Sequence, residues 1–156
     1  MLTQVDFHSG VGDRVRFACR LLHKAYQRQA TLAVRAPAST LTALDRALWL
    51  FEHESFVPHL LLRAGTDPAA LARTPIWLLE GPVPASGPPI LVCIDAGVLA
   101  ADREFERVIE IVGTDADAVQ AGRRRWREYE QRGWPLRHHR AGAASAEAGC
   151  ARPPPH

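Results

Sequence analysis

Two short apolar runs, residues 76–80, which close on Glu80, and residues 90–94, restrict the fold of this chain more than any other feature of its 156 residues. Each is too short to be a helix, and Pro75 and Gly81 bound the first. A strand that is apolar on both faces has to be covered on both faces, which is the condition of a parallel sheet flanked by helices. The N-terminal part supplies a unit of that kind. Residues 3–8 read as a strand ending in Ser9-Gly10-Val11-Gly12, Asp13 opens a helix to about Gln29, and residues 31–35 form a second strand. Val15, Ala18, Cys19, Leu22, Ala25 and Tyr26 make the buried stripe of that helix. A strand, a crossover helix and a second strand imply parallel pairing and a right-handed connection.

The next stretch is the most informative for function. Thr40 is a suitable N-cap for a helix burying Leu41, Leu44, Ala47, Leu48 and Phe51. Trp49 falls roughly 140° from the centre of that stripe, so its indole is either covered by another element or offered to a partner. Glu52-His53-Glu54 and Ser55-Phe56-Val57-Pro58-His59 follow. Pro58 biases Val57 towards extended backbone, which sets Phe56 on a turn or short strand close to Trp49.

Further on, a short helical piece ends at Arg73, and residues 81–89, with four Pro and two Gly, can only be a loop. Residues 105–112 alternate, suggesting a half-exposed strand nearer an edge. Thr114 and Asp117 form a capping box for a helix running to about Arg132 and ended by Gly133. The expected architecture is one three-layer α/β/α domain over residues 1–139, with a mostly parallel sheet of about five strands. The Ala/Gly/Ser/Pro-rich residues 140–156 are expected to be disordered.

No apolar run approaches 18 residues and the N-terminus lacks a signal-peptide pattern, so a cytoplasmic chain without a membrane span is expected. Cys19, Cys93 and Cys150 are too far apart for a CxxC or metal-ligand spacing and are expected to be reduced. The net charge of +2 hides an asymmetry. Residues 1–121 hold eleven Lys/Arg against fourteen Asp/Glu, whereas residues 122–140 hold seven Arg against two Glu. An acidic partner or a phosphate backbone would be met by the C-terminal helix.

Signals for catalysis are weak. Gly10-Val11-Gly12 lacks the third glycine and the acidic strand end of a dinucleotide fingerprint. Asp95 follows a strand where open sheets often place catalytic groups, but it has no base or nucleophile beside it in the sequence. His53, His59, His138 and His139 read as surface or turn histidines, since Glu52-His53-Glu54 has no second ligand cluster at a metal-binding spacing. On the C-terminal helix Arg123 and Arg127 are four apart with Trp126 beside both. That set suits a peptide with a carboxylate terminus and an aromatic side chain, the guanidinium fork taking the carboxylate and the ring the apolar part. A buried Trp126 with solvated arginines, or a single nucleic-acid strand tracked by Arg and aromatics, are the other readings of these residues.

The run Leu44-Asp45-Arg46-Ala47-Leu48-Trp49, followed by Ser55-Phe56-Val57-Pro58-His59, resembles the chi subunit family of bacterial DNA polymerase III. Arg-Arg-Trp-Arg-x-Tyr-x-x-x-Gly-Trp, ending at Trp134, resembles the C-terminal helix of the same family, and the likeness covers roughly residues 3–139. The resemblance implies a non-catalytic replication adaptor without a cofactor, monomeric when free and reaching DNA indirectly. It implies that Trp49 and Phe56 meet the psi subunit of the clamp loader. It further implies that Arg123, Trp126 and Arg127 take the acidic, phenylalanine-ended tail of single-stranded DNA-binding protein. Trp126 stands for the family's more usual tyrosine and Arg127 for a lysine. Val119 replaces a lysine often found one turn earlier. A small nucleotide-binding enzyme using the Gly10 turn is the rival reading.

Overall fold

The computed structural model describes residues 3–50, 56–63, 65–95 and 104–141. Within them β1 (Gln4–Val11), α1 (Arg14–Gln27), β2 (Leu32–Arg35) and α2 (Ala38–Leu50) come first. They are followed by β3 (His59–Leu61), α3 (Pro68–Arg73), β4 (Ile76–Leu79) and β5 (Ile90–Ile94). The chain continues with β6 (Arg107–Gly113), α4 (Ala116–Gln131) and β7 (Leu136–Arg140). The strands form one sheet in the order β3-β4-β2-β5-β6-β1-β7, and every pairing is parallel.

Right-handed crossovers then decide which face each helix covers. The chain moves towards β3 through α1 and α2, which share one face and pack over Val34, Ile76, Val92, Ile109 and Ile111. It moves back towards β7 through α3 and α4, so these meet the opposite face at Val5, Phe7, Leu91 and Val108. The two apolar runs are β4 and β5, which lie on either side of β2 in the sheet, buried almost throughout between the helical layers. The three-layer α/β architecture is thus the one expected.

Four local expectations need correction. The sheet has seven strands, not five. β3 is three residues long, and the polar β7 pairs along β1 from Val5↔Leu136 to Ser9↔Arg140. The strand expected near an edge, β6, is central between β5 and β1 and buried from Val108 onward. Its alternation arises from Glu110, a charged residue that is itself fully buried. Thr40 is not a cap, because α2 starts at Ala38 directly after Pro37. The cap of α4 is Asp115, whose carboxylate accepts from the Ala118 amide at 3.1 Å, in place of Thr114. Asp13 caps α1 as expected, and Gly133, at φ +77°, ends the chain's turn out of α4.

Strand β7 includes Arg140, and the Ala141 amide donates to the Ser9 carbonyl at 2.8 Å. Of the tail expected to be disordered over residues 140–156, Arg140 and Ala141 are therefore part of the sheet edge, and residues 142–156 lie outside the described residues, as do Phe51, Glu52, His53 and Glu54. Among the described residues no helix is long and apolar enough to cross a membrane.

Candidate functional site

Trp49 and Phe56 come together on the surface. Their rings lie 5.0 Å apart, and Trp49 meets the His59 ring edge-on at 5.4 Å. The cause is local. Extended backbone sends alternate side chains to opposite sides, so burying Val57 in the core turns Phe56 outward. The His59 side chain is buried and clamped, with Nδ1 2.7 Å from the Val57 carbonyl oxygen and Nε2 3.0 Å from the Asp45 carboxylate on α2. It forms a fixed floor beneath the indole. Trp49 is 61% exposed and Phe56 49%, and Leu50, next to Trp49 in the chain, is 66% exposed; these are three of the four exposed large apolar side chains among the described residues. An exposed aromatic pair held on a fixed base has the chemistry of a protein-binding surface. The off-stripe position of Trp49 was legible from helical periodicity, while Leu50 and the buried His59 were not.

The second set lies on α4, on the other face of the sheet. Gly122 presses on Val112 of β6 so closely that a Cβ there would stand 3.1 Å from both Val112 methyl carbons. One turn on, the Arg125 Nε donates to Glu110 at 2.8 Å and the Tyr129 hydroxyl donates to the other Glu110 oxygen at 2.7 Å. All three side chains are buried. Burial pushes the Glu110 carboxyl above its ordinary range, against the opposing pull of Arg125 and Tyr129, and burial likewise raises the Tyr129 hydroxyl. These anchors fix the rotation of α4. Arg123, Arg124 and Arg127 are therefore exposed, and Trp126 is half-buried at the flank with its ring 5.1 Å from Phe7 and 6.2 Å from His138. Arg125 is the residue that reading the sequence missed, taken as one more surface arginine. The signal was Glu110 inside an otherwise apolar strand, since a buried carboxylate requires a partner.

The other candidates are occupied by the fold itself. Gly10, at φ +71°, sits where β1 shifts register, and a Cβ there would stand 3.3 Å from the Ala141 carbonyl oxygen. The glycine serves the β1–β7 edge. The amide ends of α1 and α4, where a phosphate would bind, are already met by Asp13 and Asp115. Asp95 is ion-paired with Arg14 at the carboxyl ends of the strands.

The two β7 histidines are not loose surface groups. His138 Nε2 lies 2.6 Å from the Ser9 hydroxyl, and His139 stacks on His8 at 4.7 Å and reaches Asp6 at 3.1 Å. Burial, followed by His139, lowers His8 to about 4. Burial alone would raise Asp6, yet bonds from His139 and Arg107 hold it below its ordinary value. Among the described residues no three His, Cys, Asp or Glu side chains are grouped to hold a metal. Cys19 and Cys93 are free and buried, with burial raising the first thiol to about 11 and the second well above its usual value.

Comparison with known proteins adds the family. Residues 2–137 match the model of the family described as DNA polymerase III chi subunit, HolC. A DNA polymerase III subunit chi from Pseudomonas aeruginosa is 31% identical over 144 residues, covering 89% of this chain and 97% of that protein.

Proposed function

Because this chain belongs to the DNA polymerase III chi subunit family, we propose that it acts in DNA replication as an adaptor with two protein-binding surfaces. One holds the psi subunit of the clamp loader through Trp49 and Phe56. The other holds the C-terminal tail of single-stranded DNA-binding protein through Arg123, Trp126 and Arg127. The protein works without a catalytic centre or cofactor of its own, in the cytoplasm at the replisome. The observation that carries the reading is the exposed, touching pair of rings Trp49 and Phe56, which with Leu50 and Tyr26 make up the exposed large apolar side chains among the described residues. Aromatic anchors of this sort supply most of the binding energy at protein interfaces.

The α4 surface supports the second half. Two exposed guanidinium groups four residues apart flank a half-buried indole, on an element whose rotation buried contacts have fixed. Since α2 and α4 lie on opposite faces of the sheet, one partner does not obstruct the other. The test is titration with psi and with an acidic, phenylalanine-ended peptide, separately and together. A ternary complex with unchanged individual affinities is expected. Displacement of the peptide by psi would overturn the two-surface arrangement.

A further inference from the structure

We propose that the outer face of α1 is a contact surface for the phosphate backbone of single-stranded nucleic acid. Residues 14–28, which are α1 and its C-cap Arg28, contain five Lys/Arg and no Asp or Glu. Arg14 is engaged with Asp95. Arg16, Arg20, Lys24 and Arg28 follow one another four residues apart, and all four are exposed. None of them is in an ion pair among the described residues. With Ala18, Cys19 and Leu22 buried on the core side, the four cations form a row across the outside, successive members about 6 Å apart along the axis.

The contrast with α4 gives the row its meaning. The other basic segment, residues 122–140, carries Glu128 and Glu130 among its arginines, and Arg125 is neutralised by Glu110. Unopposed cations stand on α1 instead. Like charges four residues apart repel each other on a helix, so the row weakens α1 until an anion covers it.

The chemistry of the anion follows from what the row lacks. A lipid surface takes an amphipathic helix by its apolar face, and that face of α1 is in the core. An acidic protein partner would need a central apolar or aromatic anchor, and α1 exposes no large apolar side chain apart from Tyr26 near its end. A row of cations alone binds by releasing counterions from a polyphosphate, without regard to sequence. This surface lies on the opposite sheet face from α4, so the inference stands or falls independently of tail recognition.

The experiment is fluorescence anisotropy of a labelled oligothymidylate with the full chain over a series of salt concentrations. Four phosphate contacts predict a slope of about −2.8 for log affinity against log salt, since each single-strand contact contributes about −0.7. Arg16→Gln, Arg20→Gln, Lys24→Gln and Arg28→Gln should each reduce it by about 0.7, and the quadruple variant should bring it near zero. Gln keeps helix propensity close to that of Arg and Lys, and a thermal melt checks that the quadruple variant is folded. Neutralising Arg46 and Arg73, exposed arginines off the row, should leave the slope unchanged. The proposal is overturned by absence of salt-dependent binding in the wild type, by a slope retained in the quadruple variant, or by polyglutamate competing as well as the oligonucleotide. Loss of binding through substitution of Arg123 and Arg127 in place of the α1 row would also overturn it.

Discussion

Trp49→Ala separates an interface residue from a core residue, and the structure sets the size of both effects. A tryptophan presents about 250 Å²; at 61% exposure about 150 Å² of the Trp49 ring is left for a partner to cover. At about 25 cal/mol per Å², complete burial on docking is worth nearly 4 kcal/mol. Ordering costs and incomplete coverage bring the expected loss to about 2–3 kcal/mol, or roughly 30–150-fold in affinity for psi. The effect on folding should be smaller. Among the described residues the Trp49 ring meets the rings of Phe56 and His59, and His59 keeps its bonds to Asp45 and Val57. About 1 kcal/mol of stability should be lost, a fall of about 2–4 °C in Tm for a domain of this size. Calorimetric titration with psi, beside a thermal melt of the free variant, reads both numbers. Unchanged affinity, or a fall in Tm beyond about 10 °C with binding lost only through unfolding, would refute the assignment.

On α4, Arg123→Ala and Arg127→Ala should weaken binding of the tail peptide and flatten its salt dependence, whereas Trp126→Ala should weaken it with the salt slope retained; titration at two salt concentrations checks this. Tyr129→Phe strips Glu110 of one hydrogen bond inside the core and should cost about 1–3 kcal/mol in denaturant melts. Arg125→Met leaves the buried carboxylate without its cation and should cost about 3–5 kcal/mol. Acid should also weaken the fold through His8, because the native state holds this ring neutral while the unfolded chain protonates it near 6.5. That contribution is fully present above pH 6.5 and is lost as pH falls towards 4, by roughly 2–3 kcal/mol. Melts of His8→Gln across this window should show a flatter pH dependence.

The parts of the fold that could be read from the residues are those whose burial is declared by side-chain type. Residues 76–79 and 90–94 are strands because nothing in them tolerates water, and the stripes of α1 and α2 repeat at helical spacing. β7 escaped because Leu-Arg-His-His-Arg has no apolar pattern. What makes it a strand is its pairing along β1, with His138 and His139 finding Ser9 and Asp6 across 129 and 133 residues. β6 was displaced towards an edge by one residue, Glu110, whose hydrogen-bonding partners Arg125 and Tyr129 lie 15 and 19 positions away on a helix. In the candidate surfaces, aromatics out of phase with an apolar stripe were visible, as was the Arg-Trp-Arg spacing. The division of labour among four arginines on α4, one buried and three exposed, depends on tertiary packing that no local pattern contains.

The position of β1 has a consequence for the order in which the molecule can be made. Both of its neighbours, β6 and β7, come from the far end of the chain, beginning at Arg107 and Leu136. At a synthesis rate of about 5–20 residues per second, β1 waits roughly 5–20 seconds before the first of them exists. Over that interval Val5, Phe7 and Val11 are apolar and unpaired. The nascent chain should therefore need shielding until β6 emerges, and messages truncated before β6 should yield aggregates in place of a smaller folded product.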